Sequence, residues 1–535
     1  MSDRNIDQLK SDAPSGVFLR NATGLVREIS PWGAIAVGSF ALSIGAALAF
    51  TVTVTPTLYP GSNLVVTLLL AAIPAGLVAF LYSVLGGAMP RSGGEYIWLS
   101  RLIPPGLAFS IYWAFFSTQV IYAAGNLNIA FSYFGDGFLY LLGTTTGSAT
   151  LVSWGATLSG HTATFIAGSV LNVVVLAFFL LPIRRQMRAI VITFALAMAG
   201  FVVLACVLVF TTHFNTSFGA RYGHGELARI YADARKAGGR LTWSFGPSLI
   251  AVAYVTQFVP VTYVAMYAGE IKNAARNIRT SLFAATATFV VVLTGITALL
   301  YKAVGYKLMA ALAYLQVSDP KQYPFKFPFN VNYAVLLVSH SAVLITIISL
   351  AFLLSAMLAA VTILFAVTRV VFAFAWDRMF PSVLAETNRR TSTPLNAAIF
   401  LALATEAMLY VFTFTNAFSN LVFGAIAYWV LWAGVGAAAA VFPYRRPDLY
   451  AAAHVPKRRV AGLPVLTIAG ALLFVISVTG IPFLFYHGAS AVNSAAAIVL
   501  ICFYAGGPLL YFVIRAVRRR QGIDLSKAYR EIPAE

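Results

Sequence analysis

The chain has 535 residues, of which 60% are hydrophobic and only 10% are charged. Soluble domains carry about 25% charged residues, and cutting a chain into smaller domains only enlarges the surface each must cover. A water-soluble enzyme is therefore excluded and lipid is the fitting solvent. The net charge of +19 would suggest a nucleic-acid partner in a soluble protein, but the placement of the charges excludes that here.

The first 30 or so residues are polar and carry both signs of charge. They lack the apolar core of a cleaved signal peptide, so residues 1–30 read as a retained cytoplasmic segment. A spanning helix needs about 20 mostly apolar residues, and twelve stretches qualify. The first five lie near 31–53, 63–87, 104–134, 162–183 and 189–211. Five more follow near 245–268, 280–303, 332–375, 395–414 and 418–442. A final pair lies near 462–485 and 493–515, ahead of a polar tail, 516–535. Cys206 and Cys502 sit inside apolar runs and read as small core residues, without a disulfide or metal role. The histidines have no ligand spacing, so no metal site is expected.

Lys and Arg concentrate in alternate connections, including Arg91 and Arg101, Arg184 to Arg188, Lys272 to Arg279, Arg369 to Arg390 and Arg445 to Arg459. The rest cluster around two long loops, roughly 212–244 and 304–331, where the positive-inside rule is weakest. Both termini are therefore expected in the cytoplasm. The basic excess marks topology and offers attraction to anionic lipid headgroups.

Two spans look damaged at matching depths. Ser43-Ile44-Gly45-Ala46-Ala47 interrupts the segment starting near 31, and Gln257-Phe258-Val259-Pro260 interrupts the one starting near 245. Interrupted helices in corresponding positions of two halves point to a transporter binding site. Glycine and proline are also common in ordinary membrane helices.

Three stretches carry a family resemblance. Met89-Pro90-Arg91-Ser92-Gly93-Gly94-Glu95-Tyr96 follows the second span. Gly269-Glu270-Ile271-Lys272-Asn273-Ala274-Ala275-Arg276-Asn277-Ile278 follows the sixth. Thr368-Arg369 through Trp376-Asp377-Arg378, with Phe380-Pro381, closes the eighth. Together, in this order, they resemble the amino acid–polyamine–organocation (APC) family of permeases. The resemblance implies a LeuT-like fold: a ten-helix inverted repeat of five plus five over 31–442, with helices one and six unwound midway. Residues 443–515 would add two further helices. The chain departs from the family in keeping one glycine at the first break, in placing Pro260 where glycine is usual, and in Gln257, which replaces an apolar residue.

The chemistry of such breaks suits a zwitterion. A new helix N-terminus presents N–H donors and partial positive charge to a carboxylate, here from Gly45, Ala46 and Ala47. Carbonyls of Ser43, Ile44, Phe258 and Val259 would meet an amino group, with Phe258 also lining the pocket and Gln257 in reach of substrate. On the third span Gln119, Tyr122 and Asn126 share one face, either as a cavity lining or as interhelical hydrogen bonds. Tyr122 is the gating candidate. Ser355 and Thr362 are candidates for a sodium site, although such hydroxyls also satisfy helix carbonyls. Glu406, in the ninth span, is read as the one carboxylate deep in a span, either carrying a coupled proton or holding the scaffold. Arg91, Glu95, Glu270, Lys272, Arg369 and Asp377 are candidates for charge contacts at an inner gate or for a solvated basic face. The loop 304–331 is a candidate outer lid.

The expected function is secondary transport of an amino acid, with a neutral one favoured because no buried acid is evident for a cationic side chain. A polyamine or other organic amine is the alternative cargo. A channel or scaffold is the alternative class, but it lacks the repeated charge or carbonyl rings of a filter. No cofactor is expected beyond a co-transported proton or sodium ion.

Overall fold

The computed structural model describes residues 27–529 except 42, 260–261, 326–328, 330, 389–392, 416, 419–421, 454–456 and 486–493. Among these, twelve helices are long and apolar enough to cross a membrane, one for each stretch read from the sequence. They are Pro31–Leu58, Leu64–Ala88, Pro105–Thr146, His161–Phe178, Ile183–Phe210 and Phe245–Ala265, then Arg276–Ala303, Ala342–Trp376, Leu395–Phe414, Val422–Arg445, Val465–Phe483 and Ala497–Arg520. The protein is an all-α polytopic membrane protein. Short helices fill the long connections, at Phe214–Tyr222, Glu226–Lys236 and Tyr306–Ser318. The only described sheet is a two-stranded hairpin pairing Arg459–Val460 with Leu463–Pro464.

Burial separates the spans into centre and rim. The first span is 93% enclosed by protein and the sixth 81%, against 28% for the fifth and 11% for the twelfth. The two interrupted spans are thus the most enclosed. Backbone polar groups released by a break have no partner in hydrocarbon and are tolerable only inside protein or beside a cavity. Broken spans at the centre and continuous ones at the rim follow from that constraint.

Three expectations are corrected. The eighth span begins at Ala342, capped by Ser341, and the stretch before it forms a separate short helix, Val331–Leu336. The third helix runs on to Thr146 through a π-helical turn at Ala130–Gly135. A π turn shifts the backbone register instead of ending the helix, and Tyr333 donates its hydroxyl to the carbonyls of Tyr133 and Phe134, both at 2.9 Å. Asp136, placed beyond the span by its polar neighbours, is therefore a buried carboxyl group within that continuous helix. Both cysteines are exposed, on rim spans facing outward. An apolar thiol is as well solvated by lipid as by a core, so hydrophobic context alone misplaces it.

Candidate functional site

The first span bends at Ser43, whose backbone is left-handed (φ 48°). Helix Pro31–Ala41 ends there and helix Ile44–Leu58 begins. Ser43 is the cap of the second half. Its hydroxyl accepts the Ala46 N–H at 3.1 Å, and its carbonyl accepts the Ala47 N–H at 2.8 Å. The Gly45 N–H donates instead to the Ser355 hydroxyl of the eighth span at 3.0 Å, and the two serine hydroxyls lie 3.3 Å apart. The donors expected at Gly45, Ala46 and Ala47 are thus held by neutral oxygens. Ile44 is already helical, so the carbonyls that a break would release are those of the helical turn ending at Ala41.

The sixth span is α-helical over Phe245–Val255, tightens to a 3₁₀ turn at Thr256–Phe258, and resumes as a 3₁₀ turn at Tyr263–Ala265. Gln257, Phe258 and Val259 stand at the loosened turn and are buried. Pro260 lies outside the described residues. Gln257 donates to the Tyr254 carbonyl at 3.1 Å and accepts the Tyr122 hydroxyl of the third span at 2.5 Å. Tyr122 fits because Gly424, on the tenth span, has no side chain: a Cβ there would lie 2.5 Å from Tyr122 Cζ and closer still to the hydroxyl. Trp429, one turn on, donates to the Ala253 carbonyl at 2.7 Å in the last turn before the break.

The two breaks are neighbours. Helix Ile44–Leu58 packs on Phe245–Val255, and helix Pro31–Ala41 packs on Tyr263–Ala265. Tyr267 ties the latter pair by donating to the Ala34 carbonyl at 2.9 Å.

A sealed cluster of charges lies beyond the lower half of the sixth span. Arg369 grips Glu270 with two hydrogen bonds, 2.7 and 2.9 Å, with both side chains at most 1% exposed. Arg101 grips Asp377 likewise, at 2.5 and 2.8 Å, and also donates to the Ala528 carbonyl of the C-terminal segment at 3.3 Å. The Ser92-Gly93-Gly94 turn is wedged between the sixth and eighth spans, with the Gly93 N–H donating to the Met266 carbonyl at 2.8 Å. Gly93 and Gly94 both have positive φ, and a Cβ on Gly94 would lie 2.7 Å from the Ala265 backbone. Glycine is needed there twice over, for conformation and for room.

The amino acid permease family model matches residues 36–507, most of the chain, including both breaks and the Glu270–Arg369 and Arg101–Asp377 pairs. The chain belongs to the amino acid permease family. No curated protein matches it. The permease is thus a multi-pass membrane transporter of amino acids or related organic cations rather than an enzyme.

The remaining expected residues of the permease fall in different places. Thr362 donates to its own helix, to the Leu358 carbonyl at 2.9 Å and the Ala359 carbonyl at 3.2 Å, while Ser355 clamps the first break. Glu406 accepts from the Ser169 hydroxyl and from the Asn172 amide at 2.8 Å, so it ties the ninth span to the fourth. Lys272 is exposed, and its backbone N–H donates to Ile29 at 3.1 Å. Arg91 is half-buried and donates to the Pro90 carbonyl at 3.0 Å. Glu95 is fully buried, accepts the Tyr112 hydroxyl at 3.0 Å and, among the described residues, forms no ion pair.

Sequence reasoning read Arg101 only as a cation marking topology and passed over Gly424, Tyr263 and Tyr428. Tyr263 donates to Gln119 and lies 3.3 Å from the Tyr428 hydroxyl. Arg101 carried a readable signal, a cation closing the apolar run Ile97-Trp98-Leu99. Gly424 carried none, because its role is set by a tyrosine three hundred residues earlier in the chain.

Proposed function

We propose that the permease is a secondary active transporter that moves a neutral amino acid across the cell membrane by alternating access, with both termini cytoplasmic. The observation that carries this reading is the pair of adjacent breaks in the two most enclosed spans. The described side chains at the breaks are uncharged: Ser43, Ser355, Tyr122, Gln257 and Phe258. The nearby acids Glu270 and Asp377 are each committed to an arginine. A substrate carboxylate would displace the Ser355 and Ser43 hydroxyls from the Gly45 and Ala46 N–H groups. That exchange is favourable because hydrogen bonds to an ionised acceptor are about twice as strong as neutral ones.

Under this reading the first ten spans form an inverted repeat. The Glu270–Arg369 and Arg101–Asp377 pairs hold its cytoplasmic end closed. Counterflow into liposomes holding the purified permease tests the proposal, using labelled neutral amino acids with cationic amino acids and polyamines as competitors. Exchange of neutral amino acids is the expected result. Exchange of polyamines alone would replace the substrate class, and exchange of nothing would overturn the reading.

A further inference from the structure

The ion-paired acids of this protein have evident partners; Glu95 does not. It opens the helix Glu95–Leu102 between the second and third spans and is 0% exposed. One oxygen accepts the Tyr112 hydroxyl, while Oε1 has no hydrogen-bond partner among the described residues. Every packed neighbour presents a neutral ring or a committed charge. The second span presents Tyr82, the third Tyr112, the tenth Tyr428, and the lower half of the sixth Tyr263. The eighth span brings Arg369 and Asp377, already bound to Glu270 and Arg101. A carboxylate buried this way bears the cost of desolvation, with the helix N-terminus and the Tyr112 and Tyr82 hydroxyls, but no cation, to offset it. Burial accordingly pushes the Glu95 carboxyl from 4.5 up to about 7, against the pull of its own backbone, Tyr112 and Tyr82.

Two features connect this group to the rest of the site. The polar face of the third span runs Tyr112, Gln119, Tyr122, Asn126, so the row that reaches the Gln257 break begins at Glu95. Beside that row Tyr428 and Tyr263 continue the line of hydroxyls to Gln119. The residue before Glu95 also touches the sixth span: the Gly93-Gly94 turn is hydrogen-bonded to Met266 and abuts Ala265.

We propose that the Glu95 carboxyl is the proton-binding site that couples transport in this permease, charged when that end of the bundle is open to water and neutral when it is sealed. The step is a simple proton exchange. A hydrated proton from water on one side converts the carboxylate to a carboxyl and leaves a water molecule; on the other side the carboxyl returns its proton to water. The neutral form permits the sealed packing of the Ser92-Gly93-Gly94 turn on the sixth span. The inference rests on the transport reading above for its meaning, but not for its first test.

That test is infrared difference spectroscopy of the purified permease between pH 5 and 9, with thermal unfolding alongside. Because the folded carboxyl has the higher pKa, stability is full below about 4.5 and is lost as pH rises through about 7. A protonated-carboxyl band that bleaches across that window is expected, with a parallel fall in Tm. In an Asp136→Asn background, which removes the other buried carboxyl with an unpartnered oxygen among the described residues, Glu95→Gln should lose both. Tyr112→Phe, which removes a hydroxyl favouring the charged form, should move the midpoint upward. In liposomes, proton-driven accumulation should disappear in Glu95→Gln, and Glu95→Asp should restore part of it. Persistence of the band in Glu95→Gln on the Asp136→Asn background, an unmoved midpoint in Tyr112→Phe, or accumulation driven by sodium alone would overturn the proposal. A wild type that titrates as expected but exchanges no amino acid would overturn the transport reading instead.

Discussion

Replacing Glu270 with glutamine tests whether the sealed end of the bundle is held by charge. The Arg369 guanidinium makes a two-pronged contact with Glu270 and is 0% exposed. Removing one partner of a buried pair costs about 3–5 kcal/mol, because the surviving charge is stranded. Arg369 keeps hydrogen bonds to the Phe365 carbonyl at 2.9 Å and the Thr368 hydroxyl at 3.0 Å, and its Cζ lies 3.7 Å from the Phe365 ring centroid. Those contacts argue for the lower bound, about 3 kcal/mol, which is a factor of about 150 in the preference for the sealed arrangement. Amide hydrogen exchange of the segment 262–273 reads this directly: Glu270→Gln should speed its exchange by about two orders of magnitude. Adding Arg369→Gln should restore much of the protection, since removing both charges leaves none stranded. Unchanged exchange in Glu270→Gln, or a double variant worse than the single ones by their full sum, would refute the reasoning.

Other perturbations probe the breaks and the scaffold. Gly424→Ala should push the Tyr122 ring away and break its 2.5 Å bond to Gln257, raising the substrate KM by roughly tenfold for about 1–3 kcal/mol of lost pairing. Gly424→Ala combined with Tyr122→Ala should then be no worse than Tyr122→Ala alone, a non-additivity read from uptake kinetics. Ser355→Ala strips the acceptor from the Gly45 N–H and should lower stability by about 1 kcal/mol, measured by thermal unfolding. It is a cleaner probe than Gly45→Leu, because Gly45 already packs with its Cβ direction 3.1 Å from Phe352 and 3.3 Å from Ser355, so a leucine would disrupt the fold itself. Glu406→Gln removes the acceptor shared by Ser169 and Asn172. It should lower Tm while leaving the pH profile of uptake unchanged, and a flattened profile would transfer the coupling role from Glu95 to Glu406.

The amino-acid sequence by itself determined the solvent, the number of spans and the two weak points. Those properties are local: about 20 apolar residues suffice to define a span, and a serine-glycine run or a proline weakens a helix wherever it sits. The third span shows the limit, since Ser132 and Asp136 look like a terminus yet the π turn carries the helix through them. The tertiary structure decided which groups meet. Ser355 caps Gly45 across 310 positions, and Arg101 finds Asp377 across 276. No local pattern records such pairs, because their energy depends on burial that exists only after the spans have packed. Packing likewise divided six acids and bases of similar appearance into different states. Glu270, Arg369 and Asp377 became buried pairs, Lys272 stayed exposed, Arg91 stayed half-buried, and Glu95 was buried among tyrosines without an ion pair among the described residues. The same carboxyl chemistry reads as a gate or as a proton site according to whether a cation is packed beside it.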